Sequence, residues 1–378
     1  MTDSYHQNRV YLPRQVSQAE IDRANDLLAA NDLGRPLGAP AGTDTLTVVP
    51  VAGPDPVRVR EALRTAGADA ADVETDRVYL GGTFLAAGRD WGHGLLFIDL
   101  DAKHSEGLEL PEWTEPPAGR RRPVIALLDS GVLPHALLPK PTAPDPFLLE
   151  PLWEPTLAPL PEPVRAKGDS VPMAYAHATF IAGLIRMDAP TARVLSMHVM
   201  QTDGRVSEPT VLEALDFLIE YREHAPLDVV CMAFGRILEA YEEPPLAMKH
   251  RLAALARYGV RFAAAAGNGG GQARVYPAAF ATDIPEMDSV GSGLSAADRD
   301  YFSGHGDWVR SWRSGTAASI VPAHPGADDQ QRADQLAGED LVGPEADRGT
   351  MDEGWGDWRG TSFAVARRAA ELANQAVA

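Results

Sequence analysis

From residue 123 onward, short apolar segments alternate with longer segments of helical periodicity. The apolar segments, each predicted to be a strand, are 124–128, 193–199, 228–234 and 260–265. Helices are predicted over 208–221, 246–258 and 362–377. Parallel strands that are covered on both faces have continuous apolar sequences, and helices connect them. The pattern therefore predicts an α/β fold with a doubly wound, mostly parallel sheet.

The first part of the chain has a different texture, which predicts a smaller α+β domain. Its predicted helices are 16–31 and 56–66, and its predicted strands are 45–51, 78–80 and 94–100. A proline-rich segment, 111–123, is typical of a linker. We therefore predict an N-terminal domain over residues 1–118 and a second domain over 119–378. Two further segments are predicted to be irregular, the proline-rich 134–172 and the acidic 327–353.

Charge and cysteine content exclude several classes of function. The net charge is −19, which repels a phosphate backbone, so we predict no nucleic-acid partner. The single cysteine, Cys231, precludes an intrachain disulfide. The N-terminus lacks a secretory pattern, and no apolar run reaches the roughly 20 residues that a membrane helix needs. We expect a cytoplasmic protein without a membrane partner.

Two polar residues stand where the chemistry of such a fold is usually found. Asp129 directly follows the first apolar strand, at the sheet edge where sites of open α/β sheets form. A carboxylate there can orient an imidazole, although Asp-Ser-Gly after a strand is also an ordinary turn or cap. His177 opens an apolar helix, where a histidine is either functional or simply packed.

A serine and an asparagine complete the set. Ser362 follows Gly360-Thr361 at the start of the last predicted helix, where backbone N–H groups favour an anion. The alternative is that Thr361 or Ser362 merely caps this helix. Asn268 lies among small residues at the end of a strand, where its amide can donate to an oxyanion or simply form an Asn-Gly turn.

The four segments, in the order Asp, His, Asn, Ser, resemble those of the subtilisin-like serine peptidases, the subtilases. Three further segments, 229–235, 276–278 and 302–306, also resemble family motifs, and the resemblance spans residues 123–378. It implies a serine endopeptidase with Asp129, His177 and Ser362 as its triad and Asn268 as its oxyanion donor. Seven residues are expected to bind the substrate backbone: Met232, Ala233, Phe234, Gly235, Ala265, Ala266 and Gly267.

The resemblance also bears on partners and cofactors. It implies a protein or peptide substrate and an intracellular processing role. Calcium is common among relatives, but no loop here has a ligand pattern that we would carry over, and the single cysteine and scattered histidines offer no zinc spacing. We therefore predict no cofactor and no metal site.

Three departures from the family pattern keep an alternative open. Ala178 replaces the glycine usual after the histidine, Arg359 replaces a serine, and Ala366 stands near an expected proline. A catalytically silent or gated scaffold is therefore the second hypothesis. An esterase is disfavoured because the second glycine of its usual nucleophile motif is missing after Ser362. The N-terminal domain resembles the family's inhibitory propeptide, and a regulatory domain or a structural extension are the alternatives.

Overall fold

A computed structural model of the chain describes ten stretches of it. They are residues 5–66, 72–81, 108–133, 135–138, 147–149, 153, 173–201, 204–238, 242–322 and 354–376. The predicted strand 94–100 and the acidic segment 327–353 lie outside the described residues, as does most of the proline-rich segment 134–172. The linker predicted over 111–123 contains neither helix nor strand.

The N-terminal region forms an antiparallel sheet with two helices on one face. Its elements are β1 (Tyr5–Leu12), α1 (Gln18–Ala30), β2 (Ala41–Gly42), β3 (Thr47–Pro50), α2 (Pro56–Ala66) and β4 (Glu74–Gly81). The strands are ordered β2-β3-β1-β4. Both predicted helices are present, and β1, which the sequence analysis left unassigned, forms the centre of this sheet. The α+β character predicted for this region is confirmed.

The remaining elements alternate strands and helices. They are β5 (Val124–Asp129), β6 (Leu148–Leu149), α3 (His177–Asp188), β7 (Arg193–His198), β8 (Arg205–Ser207), α4 (Glu208–His224), β9 (Val229–Met232), β10 (Phe234–Ile237), α5 (Leu246–Ala256), β11 (Arg261–Ala265), β12 (Val275–Tyr276), β13 (Met287–Ser292), β14 (Ser311–Arg313), β15 (Thr316–Val321), β16 (Gly354–Arg359) and α6 (Thr361–Ala376). No helix in the described part of the chain is long and apolar enough to cross a membrane.

Seven of these strands form one sheet, in the order β14-β13-β11-β9-β5-β7-β6, and all of its recorded pairs are parallel. Side chains alternate between its two faces. One face packs into a core with α4 and α5, and the other packs into a core with α3 and α6. Buried strands such as β5 are apolar throughout because both faces are covered. The predicted doubly wound α/β fold is confirmed.

The segment 228–234, predicted as one strand, is divided between two sheets. β9 ends at Met232 within the parallel sheet, and β10 begins at Phe234, where it pairs with β12 and β4. The chain changes sheet at Ala233, whose carbonyl accepts a hydrogen bond from Ser362 Oγ at 3.3 Å. An apolar run shows that a segment is buried, but it does not reveal where the chain turns from one sheet into another.

The strand β4 continues the N-terminal sheet into the second region. Its first half pairs with β1, and its second half lies between β8 and β10. Tyr79 pairs with Val206 on one side, and Gly81 pairs with Phe234 on the other. The predicted boundary at residue 118 therefore separates two segments whose strands share one sheet.

The N-terminal sheet buries both of its faces. One face packs on α1 and α2, with Val49 in that core. The opposite face brings Tyr11, Leu46 and Val48 into the same core as α4 and α5. Thr45 Oγ1 adds a hydrogen bond of 2.7 Å to Asp216 of α4. The two predicted domains therefore share one of the molecule's hydrophobic cores.

Candidate active site

Asp129 and His177 meet at one edge of the parallel sheet. Asp129 is the last residue of β5 and His177 is the first of α3. His177 Nδ1 lies 2.8 Å from Asp129 Oδ1 and 3.0 Å from Oδ2, and both side chains are fully buried. The contact directs Nε2 away from the carboxylate. An ionised carboxylate in this position holds one imidazole tautomer and stabilises the imidazolium.

Local hydrogen bonds fix this pair. Ser130 N donates to Asp129 Oδ1 at 2.7 Å, and Ser130 Oγ accepts from Ala178 N at 3.2 Å. One serine thus links the end of β5 to the first turn of α3. The methyl group of Ala178, where the family usually has glycine, is fully buried beside the histidine.

Ser362 is the second residue of α6 and is almost fully buried. Its Oγ donates to the carbonyl of Ala233, and His177 Nε2 makes no hydrogen bond within the described part of the chain. The ring of the neighbouring Phe363 lies 5.8 Å from the imidazole, between centroids. The serine therefore lies close to the histidine with its hydroxyl turned toward β10. Nucleophile–base hydrogen bonds are often absent from structures without substrate.

Asn268 is oriented by Thr361, which the sequence analysis considered only as a helix cap. Asn268 Oδ1 accepts from Thr361 N and from Thr361 Oγ1, each at 2.9 Å. With its oxygen engaged in this way, the amide presents Nδ2 as its donating end. A Cβ atom on Gly360 would lie 3.5 Å from that Nδ2. A hydroxyl residue directly before a candidate nucleophile is the signal that could have identified Thr361.

Three aromatic side chains surround the imidazole. Trp358 of β16 meets His177 edge to face, with 5.6 Å between ring centroids and an interplanar angle of 81°. Phe180 and Phe363 pack against the same Trp358 ring, which is 1% exposed. The sequence analysis did not single out Trp358. These rings keep the histidine in a water-poor environment and restrict its rotation.

The seven residues expected to bind substrate lie along two backbone segments beside Ser362. Met232 ends β9, and Phe234 and Gly235 begin β10 after Ala233. Ala265 ends β11, and Ala266 and Gly267 follow it. The edge of β10 that faces away from β12 is occupied by β4, through the pairs Phe234–Gly81 and Gly235–Leu80.

Cys231 is the other nucleophilic side chain near this edge. It is fully buried in β9, and burial, together with the nearby charge of Asp129, raises the pKa of its thiol. The thiol therefore stays protonated at neutral pH. Since the thiolate is the reactive form, Cys231 is a packed core residue and not a nucleophile.

Comparison with solved structures returned several subtilisin-like proteins. Fervidolysin from Fervidobacterium pennivorans, a keratinolytic enzyme related to subtilisin, has a TM-score of 0.56 at 15% identity, over 99% of this chain and 55% of its own. A cold adapted subtilisin-like serine proteinase gives 0.43 at 17% identity, over 71% of this chain and 80% of its own. A mutant of the protease domain of PatA gives 0.44 at 18% identity, over 68% and 80%. The likeness to fervidolysin concerns the fold alone.

Sequence comparison gives the family directly. A search of curated protein sequences returned no match. The family model described as "Subtilase family" matches residues 120–375, which is more than half of the chain and contains all four candidate catalytic residues. This chain therefore belongs to the subtilase family.

Proposed function

We propose that the protein is a serine endopeptidase that hydrolyses peptide bonds through an acyl-enzyme. The observation that carries the proposal is the buried Asp129–His177 pair, with 2.8 Å between Oδ1 and Nδ1, beside Ser362 at a helix N-terminus. Family membership supports the reaction class. Each group has the chemistry that its role requires: an orienting carboxylate, a neutral base with Nε2 available, and a hydroxyl nucleophile.

The proposed reaction begins with rotation of the Ser362 side chain from the Ala233 carbonyl toward His177 Nε2. Ser362 Oγ bonds to the substrate carbonyl carbon while Nε2 takes the hydroxyl proton. The C–N bond then breaks, and the imidazolium returns that proton to the leaving amine. Water repeats the sequence on the acyl-enzyme, and Asp129 stays ionised throughout.

The negative charge on the tetrahedral oxygen needs donors that are already in place. The backbone N–H of Ser362 and the Nδ2 of Asn268 are the proposed pair, because Thr361 holds the other end of the Asn268 amide. Fixed dipoles of this kind stabilise the transition state without reorganising during the reaction. Thr361 is therefore proposed as a positioning residue for the oxyanion donor.

Labelling with a fluorophosphonate probe tests the serine and its base. Ser362 Oγ should displace fluoride from phosphorus in the full-length protein, and neither Ser362→Ala nor His177→Ala should react. A protein that is folded by circular dichroism but unlabelled would favour the silent scaffold, the second hypothesis. The outward rotation of Ser362 Oγ toward Ala233 is the observation that favours this alternative.

We also propose that the N-terminal region regulates access to this site. Its strand β4 occupies the edge of β10 along which an extended substrate is expected to bind. β4 runs antiparallel to β10, and Gly81 pairs with Phe234, so the chain after Gly81 heads toward Ala233 and the nucleophile. A peptide substrate and β4 would compete for the same backbone donors and acceptors.

Buried charges support a stable association of β4 with the second region. Arg77 lies 3.2 Å from Glu208 at the start of α4, and both side chains are at least 98% buried. Asp76 accepts from Ser207 Oγ at 3.1 Å and pairs with Arg9. Burial raises the pKa of both carboxyls, Asp76 and Glu208. Separating these partners would leave charged groups without their counter-ions.

Weakening the β4 ladder tests this regulation. Leu80→Pro removes one backbone donor from β4, whereas Leu80→Ala shortens the side chain and keeps that donor. We expect the proline variant to hydrolyse a protein substrate about tenfold faster than the alanine variant, in proportion to the lost backbone pairing. Equal rates in the two variants, with the peptidase still active, would show that β4 does not limit access.

We propose finally that the enzyme acts in the cytoplasm as a processing peptidase. The support comes from sequence alone: a single cysteine, and no secretory pattern at the start of the given chain. Subcellular fractionation of the source cells, with an antibody against the protein, tests this location.

A further inference from the structure

We infer that the cleft accepts only a small side chain, glycine or alanine, on the acyl side of the bond that is cut. This inference rests on the proposed function and names its substrate class. Its structural basis is Val275, which fills the space between the two backbone segments beside the nucleophile. Val275 is not among the residues that the sequence analysis assigned to the site.

The two backbone segments that flank the nucleophile lie close to each other. Ser362 Oγ contacts the Ala233 carbonyl at the start of β10, and Gly235 follows two residues later. The end of β11 faces this strand: the Ala265 carbonyl lies 3.9 Å from the position that a Cβ atom on Gly235 would take. A substrate side chain that enters beside Ser362 must fit between these two segments.

Val275 occupies that space from the far end. Its Cγ1 lies 2.4 Å from the position of a Cβ on Gly235, and the Tyr276 carbonyl lies 3.2 Å from the same point. Even a methyl group on Gly235 would overlap the valine. The gap is therefore already filled to contact distance by a protein side chain.

Val275 is held where it is. Strand β12 pairs with β10, through Ile237–Val275 and Arg236–Tyr276, so the valine backbone is fixed relative to the cleft. The side chain is 3% exposed and belongs to the large core on the α4–α5 face. A β-branched side chain has few rotamers, so it does not readily turn aside to admit a larger group.

The strand that occupies the cleft is consistent with this limit. Gly81 is the residue of β4 that pairs with Phe234, next to Ala233 and Ser362, and it has no side chain. Two residues earlier, Tyr79 is fully buried, and its ring meets that of Phe234 edge to face at 6.0 Å. The cleft accommodates an aromatic residue at that distance from the nucleophile and a glycine close to it.

Labelling by peptidyl diphenyl phosphonates with alanine or phenylalanine next to phosphorus measures this preference without turnover. In each reaction Ser362 Oγ bonds to phosphorus, phenoxide leaves, and the serine proton neutralises it through His177. The variants compared with wild type are Val275→Gly, which opens the space, and Ile237→Val, a control on an exposed side chain of the same strand pair. All are measured in the full-length chain, with and without Leu80→Pro.

We expect wild type and Ile237→Val to react with the alanine probe about 10- to 200-fold faster than with the phenylalanine probe, the range for misfit in an apolar pocket. Val275→Gly should reverse or abolish this ratio. Equal rates in wild type, an unchanged ratio in Val275→Gly, or reaction with neither probe while the fluorophosphonate still labels Ser362, would each overturn the inference. Failure of the fluorophosphonate itself would refute the proposed function instead.

Discussion

At the scale of single residues, the candidate site depends on side chains that hold other side chains. Thr361 donates twice to Asn268 Oδ1, from its backbone N–H and from its hydroxyl. Ser130 similarly contacts both Asp129 and the first turn of α3. None of these groups is proposed to react with substrate. Each restricts the rotation of a group that is.

Replacing Thr361 by valine should slow catalysis without weakening substrate binding. The change keeps the volume and the backbone donor but removes the Oγ1 donor, so the Asn268 amide gains freedom to rotate. A lost hydrogen bond of this kind is worth about 1 kcal/mol, which corresponds to a decrease in kcat of roughly fivefold to tenfold. Steady-state kinetics on a peptide substrate measures the change.

Thr361→Ser is the matched control, because it restores the hydroxyl and omits only the methyl group. Its kcat should return close to that of wild type. A serine variant as slow as the valine variant would assign the loss to packing. An increase in KM with unchanged kcat would contradict the positioning role as well.

The sequence predicted the reacting groups more completely than their supports. Asp129, His177, Asn268 and Ser362 lie in motifs whose order is itself informative. Trp358 lies far along the chain from His177, and its contact with the imidazole depends on how β16 enters α6. Val275 gives no local signal either, since its role follows from the pairing of β12 with β10.

At the scale of elements, strand β4 carries the contacts that join the two regions. Its alternating charged residues, Asp76 and Arg77, are buried by partners far away in the sequence, Ser207 and Glu208. Only residues 78–80 of the strand were predicted, because buried charges interrupt the apolar pattern that indicates a strand. The full element, Glu74–Gly81, follows from tertiary pairing.

Arg77→Ala should destabilise the folded protein by about 3–5 kcal/mol, because it leaves Glu208 buried without its counter-ion. The double variant Arg77→Ala with Glu208→Ala should recover part of that loss. Arg121→Ala is the control: Arg121 is half exposed in its pair with Asp228, and such pairs contribute about 0–1 kcal/mol. Urea unfolding measures all four proteins, and a similar loss for Arg77→Ala and Arg121→Ala would refute the prediction.

The start of α1 gives a pH dependence of defined sign. Ser17 N and Ser17 Oγ both donate to Glu20 at 2.8 Å, and Arg14 pairs with it. These contacts, the backbone donor first, lower the pKa of Glu20 from 4.5 to about 2. Because the folded pKa is the lower one, this contribution to stability is complete above pH 4.5. It is lost as the pH falls through the folded value.

Titration of the Glu20 carboxyl carbon by NMR measures that pKa directly. In Ser17→Ala the backbone donor remains and the hydroxyl is lost, so the pKa should rise part of the way toward its ordinary value. The variant should also lose about 1 kcal/mol of stability at neutral pH. A pKa unchanged by the substitution would show that the hydroxyl does not contribute.

At the scale of the whole molecule, the two regions share both a sheet and a core. Val48 packs with α4 and α5, whereas the adjacent Val49 packs with α1 and α2. The sequence predicted two separate textures and a linker between them. It did not predict this continuity, because contacts between strands distant in sequence leave no periodic signal.

We therefore expect one cooperative unfolding transition for both regions. Hydrogen exchange in increasing denaturant should release amides of β3 and of β5 together in wild type. Val48→Asp places a charge against α4 and α5 and should separate the two transitions, while Val49→Ala should lower the midpoint without separating them. Exchange of β3 well before β5 in wild type would contradict the shared core.

The position of β4 between β8 and β10 has a consequence for handling the protein. If β4 is removed, two strand edges lose their partner together, and each presents unpaired backbone donors and acceptors. Such edges add any extended chain of suitable sequence, including another copy of themselves. A truncated peptidase should therefore form concentration-dependent aggregates that an excess of free β4 peptide dissolves, so that this strand also serves as the solubility tag of its own enzyme.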